Sequence, residues 1–457
     1  MCPSIDYADR PARSGELSQG PDPKLLSRLH DAHCHPTTST PSPGSLEILK
    51  GLNVGSITAM SSDFKDQQQV VELAVGAGNR VIPSFGYHPW TTHQISLKPI
   101  SPSFSKRDHY SSVFLTNKSP LLHQRLLDDL LPYLPNPTHL SSLLPGLKDN
   151  LSKFPGSQLG EVGLDKKARV PFPVEWLEAH RSDEDITNQS CTLRTSSLTK
   201  LDLESEEKEK KDMARLTRMK LTPFFTSLEH QRTILHAQMA VLKDIILSTP
   251  IDVEWGRSVS FHAVGVTSWV EDALRYWEMD VFGGDRLVWR NRVKVLIHSC
   301  GLKWQAWKPL EKEHPNIYLS LSPLLLYPTR TPTKIPRLTN LPETIECCNP
   351  DRILIESDQS NLNKSEGALW DCVLGLAEGR MGDPIEPADL AEVEASEKED
   401  EWAERVERTI ERLEKNWKVW RGEIEEVVVD KKGRRTKGKR GKIVSELIMG
   451  SDSEDEL

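Results

Sequence analysis

"LHDAHCHPT", residues 29–37, sets the frame for reading the whole chain. A polar lead precedes it and a Pro/Ser/Thr turn follows, so it reads as a short strand in which alternate side chains share a face. On that reading Asp31, His33 and His35 point one way and Cys34 the other. Two imidazoles side by side suit a divalent metal, since neutral histidine is the commonest protein ligand. A cysteine turned away from them reads as a small buried hydrophobe. An isolated His-x-His is equally a pair of polar residues at a strand end, so further ligands have to come from elsewhere.

Seven more β-rich runs follow: "VGSITAMSS" at 54–62, "VIPSFGYHPW" at 81–90, "SQLGEVGLD" at 157–165, "SVSFHAVG" at 258–265, "VKVLIHSCG" at 293–301, "NIYLSLSP" at 316–323 and "DRILIESD" at 351–358. Helical patterns such as "DQQQVVELAVGAG" and "SWVEDALRYWEMD" fill many of the gaps. Strands alternating with helices indicate βα units on a parallel sheet, and eight such units indicate an α/β fold of the (β/α)8 TIM-barrel type. Chemistry in that fold sits at the carboxyl ends of the strands, which is where the polar residues of these runs lie.

Three regions fall outside the repeat. Residues 91–155, Ser/Pro/Leu-rich, and 181–221, Ser/Thr-rich and then "ESEEKEKKD", read as insertions in βα loops, the first partly ordered and the second flexible. Near the C-terminus a helix over 399–420 carries Trp402, Val406, Ile410, Leu413, Trp417 and Trp420 on one face, which is expected to pack on the barrel. After it come the basic run "KKGRRTKGKRGK" at 431–442 and the acidic end "SDSEDEL". The expected division is an N-terminal extension over 1–28, a barrel over 29–422 and a charged, disordered tail over 423–457.

The 457 residues are 37% hydrophobic and 27% charged, low in apolar content for a compact chain of this length. A net charge of -9 argues against a general cationic coat for nucleic acid, so any such contact is local. Seven cysteines without regular spacing do not form a disulfide framework and point to a reducing compartment. No signal-peptide core and no span-length apolar segment is legible, so a soluble, intracellular protein without membrane contact is expected. The basic run has the density of a nuclear-import signal or a nucleic-acid arm, which places the chain in nucleus and cytoplasm; a solvated linker is the plainer reading.

Five strand ends supply candidate ligands: His33 with His35, Glu161, His262, His298 and Asp358. Four imidazoles and two carboxylates converging on a barrel mouth make a binuclear site for Mg, Mn or Zn. Glu161 can bridge two ions and acidify a water held between them, which gives hydrolysis of a phosphodiester or another ester without a serine or cysteine nucleophile. Taken singly, each residue has a plainer role: His262 or His298 as a hydrogen-bonded structural histidine, Glu161 as a turn cap, Asp358 as a helix N-cap.

"DAHCHP", "GYHPW", "GEVGLD", "SFHAVG", "IHSCG" and "ILIESD", in this order, resemble the TatD family of metal-dependent deoxyribonucleases among the amidohydrolase-like TIM barrels. The resemblance runs over about residues 29–420, and "EKNWKVW" at 414–420 resembles the family's closing helix. It implies divalent ions, two in number, on His33, His35, Glu161, His262, His298 and Asp358, with Glu161 and Asp358 catalytic, and 3′ to 5′ exonuclease or related hydrolase activity. It further implies that His88 contacts substrate phosphate, and Asp31 is expected to orient the two histidines of the first strand from behind. The substrate class stays open between DNA, RNA and an aminoacyl-tRNA ester.

Two departures stand out. His262-Ala263-Val264 replaces the family's His-x-Arg, removing a bidentate phosphate clamp, and "QSNLNKSEGALW" after Asp358 lacks the usual proline-containing wording. With the insertions, these departures resemble a fungal branch described as interactors of a tetratricopeptide subunit of the anaphase-promoting complex. An adaptor that retains a metal site and has weak or no nuclease activity is the alternative reading.

Overall fold

The computed structural model describes residues 21–37, 44–116, 119–180, 211, 215–249, 257–326, 341–378, 395–423, 427–429 and 435–437. Eight strands form one sheet in sequence order: β1 (His30–Cys34), β2 (Ser56–Met60), β3 (Val81–Phe85), β4 (Gln158–Asp165), β5 (Arg257–Val264), β6 (Val293–Ile297), β7 (Ile317–Leu321) and β8 (Ile353–Ile355). Every neighbouring pair is parallel. Just beyond the strand ends the circle closes, with Asp358 N–H donating to the His33 carbonyl at 3.0 Å and His35 N–H to the Gln359 carbonyl at 2.9 Å. All eight expected strands are present, and the barrel expected from their alternation with helices is the observed fold.

Parallel strands covered on both faces bury both sets of side chains. Val295, Ile297, Ile317, Leu319, Ile353 and Ile355 join helix residues such as Val70, Ile234, Leu274 and Leu369 in the main outer core. The alternate residues Ala32, Ile82, Leu296, Tyr318 and Leu354 fill the interior together with Trp417 and Trp420. Those tryptophans come from the helix Ala395–Arg421, which contains the amphipathic stretch read at 399–420. Lys294, buried in the barrel, donates from Nζ to the Val419 and Trp420 carbonyls, a cation set against the carbonyl end of a helix. Asn416 donates to the Pro350 and Ile353 carbonyls at 2.8 and 2.9 Å, and His30 stacks on Trp417 at 4.8 Å. The last helix therefore floors the barrel at the opposite end from the site.

The excursion after β3 is shorter than its composition suggests. The helix Leu140–Lys153 belongs to the barrel, since Leu147 and Leu151 are fully buried in the main core. The inserted part contributes Tyr110, Val113, Phe114, Leu127, Leu130 and Leu134 to a second core, completed by Val170, Phe172, Trp176 and Phe224 from the loop after β4. The two insertions thus interlock. After the second, Leu221–Phe225 pairs antiparallel with Arg169–Pro171; of the stretch 181–221 expected to be flexible, 181–210 and 212–214 lie outside the described residues, while 215–221 is described, with Leu216 buried. At the chain's start, Leu26 is buried in the main core and Arg28 bonds to Glu407 and, at 2.8 Å, to Glu414 of the last helix. Val427–Val429 pairs antiparallel with Arg435–Lys437; apart from these and Glu423, the tail lies outside the described residues. Among the described residues no helix is long and apolar enough to cross a membrane.

Candidate metal centre

Strand β1 is not a plain alternation. Asp31 pairs with Ile57 and Cys34 with Ala59, so three steps on β1 face two on β2, which is a bulge. The extra residue lets His33 and His35 both reach the mouth while Cys34 turns into the outer core, its thiol 3.4 Å from the Thr58 carbonyl. Asp31 goes with Cys34. Its carboxylate lies against that thiol and accepts the Ser357 N–H at 2.9 Å, the Ser357 hydroxyl and the His33 N–H at 3.2 Å. This corrects the expectation that Asp31 shares a face with the two imidazoles and orients them. The bulge breaks the period of two, and what Asp31 holds is backbone, tying β1 to the turn that carries Asp358. Burial raises its own carboxyl to about 7, against the hydrogen bonds from Ser357.

Glu161 stands at the centre of five imidazoles. Its Oε1 lies 2.7 Å from His262 Nδ1, 2.7 Å from His298 Nε2 and 3.1 Å from His88 Nε2. Oε2 faces His35 Nε2 at 3.2 Å and His33 Nε2 at 3.3 Å, yet makes no hydrogen bond although buried. His33 Nε2 and His35 Nε2 are 3.1 Å apart, and Asp358 Oδ1 lies 3.5 Å from His35 Nε2. All six residues expected as ligands are therefore brought together. Three subsets have ligand atoms within 4.8 Å of one another: His33, His298 and Asp358; His33, His35 and Glu161; His88, Glu161 and His262. Asp358 adopts a left-handed backbone, φ 51°, which a short polar residue tolerates and which turns the chain at the mouth.

Partners behind the rings decide which nitrogen faces inward. His262 Nε2 is 3.0 Å from Asp165 Oδ2, so it carries a proton and leaves Nδ1 toward the centre. His298 Nδ1 is 3.2 Å from Glu356 Oε1, leaving Nε2 inward. His33 Nδ1 meets Ser260 Oγ at 2.8 Å and His35 Nδ1 meets Ser62 Oγ at 3.3 Å. His88 is different: its Nδ1 accepts the Trp90 N–H at 3.0 Å, so in the neutral ring the proton sits on Nε2, aimed at Glu161. Burial holds His88 down to about 4, keeping it neutral. Four rings can thus offer lone pairs while His88 offers a proton.

The field of the site calls for positive charge. Burial opposes protonation of His35 and His298, but the carboxylates outweigh it: Asp358 and Glu161 bring His35 up to about 10, and Glu161 and Glu356 hold His298 well above the ordinary range. Burial likewise opposes ionisation of Glu161, and the surrounding imidazoles hold its carboxyl well below the usual value. A buried carboxylate oxygen without a hydrogen bond, facing two ring nitrogens, fits a divalent cation and a His/carboxylate donor set.

Asp165, Glu356, Ser260 and Trp90 escaped the reading of the motifs. Asp165 and Glu356 lie inside the quoted "GEVGLD" and "ILIESD", and a carboxylate beside a ligand-bearing strand end was the available signal. Their partners are on other strands, which one strand's wording does not reveal.

No family model matches the chain. In sequence it is 27% identical over 258 residues to the Cut9-interacting protein scn1 of Schizosaccharomyces pombe, covering 55% of this chain and 60% of that protein. The chain thus spans less than two thirds of that relative's length. A hydrolase TatD family protein from Entamoeba histolytica is similar in structure, with TM-score 0.44 and 10% identity over 86% of this chain and 97% of that one. An uncharacterized amidohydrolase from Saccharomyces cerevisiae gives TM-score 0.42 and 12% identity over 86% and 98%. The name of the sequence relative matches the fungal branch that the motifs resemble.

Proposed function

We propose that the protein is a metal-dependent hydrolase that cleaves phosphodiester bonds, a deoxyribonuclease of the 3′ to 5′ exonuclease type. The carrying observation is Glu161, a buried carboxylate whose two oxygens divide five imidazoles between them, one oxygen free of hydrogen bonds. His33, His35, His262, His298, Glu161 and Asp358 would hold two ions of Mg, Mn or Zn, which supply Lewis acidity and an acidified water when bound. The chain's own contribution is positional. Asp165 and Glu356 fix the rings of His262 and His298, Glu161 and Asp358 supply the negative charge, and His88, whose Nε2–H lies 3.1 Å from Glu161 Oε1, would turn that proton from Glu161 to an anionic substrate oxygen. The bidentate clamp absent at Val264 leaves RNA and aminoacyl-tRNA esters beside DNA as candidate substrates.

The test is metal analysis of the purified chain, followed by cleavage assays on single-stranded DNA, RNA and aminoacyl-tRNA with each ion added in turn. Stoichiometric metal with turnover of one substrate class supports the reading; a chain that binds no metal and turns over none of them ends it. The match to a Cut9-interacting protein favours a second reading, an adaptor for a tetratricopeptide protein. Binding to such a partner that survives loss of metal would support it.

A further inference from the structure

Trp90 touches the settings of two of the centre's histidines at once. Its backbone N–H donates to His88 Nδ1 at 3.0 Å, and its indole Nε1–H donates to Asp165 Oδ2 at 2.8 Å. That same oxygen receives His262 Nε2 at 3.0 Å, while Oδ1 takes the Lys167 and Ala168 N–H groups at 2.6 and 2.7 Å. The indole stands edge-on to both imidazoles, 4.7 Å from His88 and 5.9 Å from His262 between centroids. Its own loop is pinned: the Trp90 carbonyl bonds to His93 Nδ1 at 2.9 Å, and the Thr92 carbonyl to His230 Nε2 at 3.0 Å.

Asp165 thus has donors on both oxygens, and the indole is the second donor on the oxygen that faces His262. Without it, Oδ2 keeps His262 alone, while the Lys167 and Ala168 N–H groups still hold Oδ1. We propose that Trp90 is a positioning residue of the centre, setting the protonated nitrogen of His88 through its backbone and that of His262 through Asp165. It thereby separates the ring that offers a lone pair from the ring that offers a proton. The inference rests on the metal-centre reading of this site but on no particular substrate.

Trp90→Phe keeps an aromatic ring and the backbone N–H and removes the indole donor together with the five-membered ring that carries it. Zinc affinity of the full chain is measured by chelator competition, and the imidazole tautomers by NMR of histidine labelled with nitrogen-15. The expected result is zinc binding about tenfold weaker at unchanged stoichiometry, the lower end of what outer partners of a ligand contribute. His262 should lose its defined Nε2–H signature while His88 keeps its own. In an Asp165→Asn background the same substitution should cost less than about twofold, because the link is already broken. Equal cost in both backgrounds, or wild-type affinity with unaltered His262 resonances, overturns the proposal. Should the phenylalanine variant fail to fold, Trp90→Tyr, whose donor sits elsewhere on the ring, is held to the same readouts. A wild-type chain that binds no zinc refutes the metal-centre reading separately, and the His262 and His88 tautomers in the variant still decide this one.

Discussion

Glu161 Oε1 meets His298 Nε2 at 2.7 Å, and the other nitrogen of that ring meets Glu356 at 3.2 Å, so one imidazole spans two buried carboxylates. The protonated ring donates to both carboxylates, whereas the neutral ring donates to one and leaves the other nitrogen as a lone pair. Glu161→Gln keeps the shape and removes the charge that five imidazoles share. Bound metal and hydrolysis should fall together, with metal affinity reduced at least about a hundredfold, more than the loss of an outer partner. Metal stoichiometry and phosphodiesterase rate measured on the same preparation check this; full metal with full rate would remove Glu161 from the centre.

His88 should behave differently from its neighbours. His88→Asn retains an acceptor for the Trp90 N–H and removes the donor at Nε2. Metal content should stay at the wild-type level while kcat falls about a hundredfold, the scale of losing one donor to a developing negative charge. A variant that loses metal in proportion to rate would make His88 a ligand.

Cys34 provides the control for register. It is fully buried in the outer core, with the Thr58 carbonyl within reach of a hydroxyl. Cys34→Ser should leave metal content unchanged and cost about 1 kcal/mol of stability, the low end for burying a hydroxyl that finds a partner. Denaturant unfolding beside metal analysis reads both. Loss of metal in Cys34→Ser, with full metal in His33→Ala, would mean that β1 presents the opposite face.

Localisation is proposed from the sequence of the tail. The basic run 431–442 lies beyond Gly422, whereas the last helix still bonds the barrel through Lys294 on the Val419 and Trp420 carbonyls and through Arg421 Nη1 on the Gly156 carbonyl at 2.9 Å. Truncation after Gly422 should therefore leave the melting temperature unchanged and lower nuclear accumulation. A tagged truncate distributed like the full chain would refute the import role.

The strands were legible because each apolar run ends in a polar residue at the mouth, and the six ligands were legible because they are those residues. Asp31 was misplaced since a bulge is set by pairing with β2, which the wording of β1 does not show. The helix Leu140–Lys153 was hidden by a Ser/Pro-rich sequence with Pro145 inside it, and only its packing against the outer core marks it as part of the barrel. Asp165 and Glu356 had visible chemistry but invisible partners, because β4 meets β5, and β8 reaches His298, only in three dimensions. Trp90 carries no titratable group, so no motif logic pointed to it.

The loop bearing His88 should loosen in mild acid before the barrel does. His93 Nδ1 bonds to the Trp90 carbonyl, and His230 and His109 bond to the carbonyls of Thr92 and His93. Burial lowers His93 from 6.5 to about 4 despite its bond to Trp90, with His230, His109 and Lys65 adding repulsion, and burial lowers His109 and His230 as well. A histidine with a depressed folded pKa is neutral in the fold and takes up protons first when unfolded. Its contribution is therefore complete above the unfolded value of 6.5 and is lost as pH falls from there toward about 4. For His93 the full loss is on the order of 3 kcal/mol. Hydrogen-exchange protection factors over residues 88–95, taken against the intrinsic rate at each pH, should fall between about pH 7 and about pH 5 while the floor around Leu296 and Trp417 stays protected. His93→Asn keeps a donor for the Trp90 carbonyl but does not titrate, so it should flatten that fall. An asparagine variant with the wild-type pH dependence would assign the loosening to other groups.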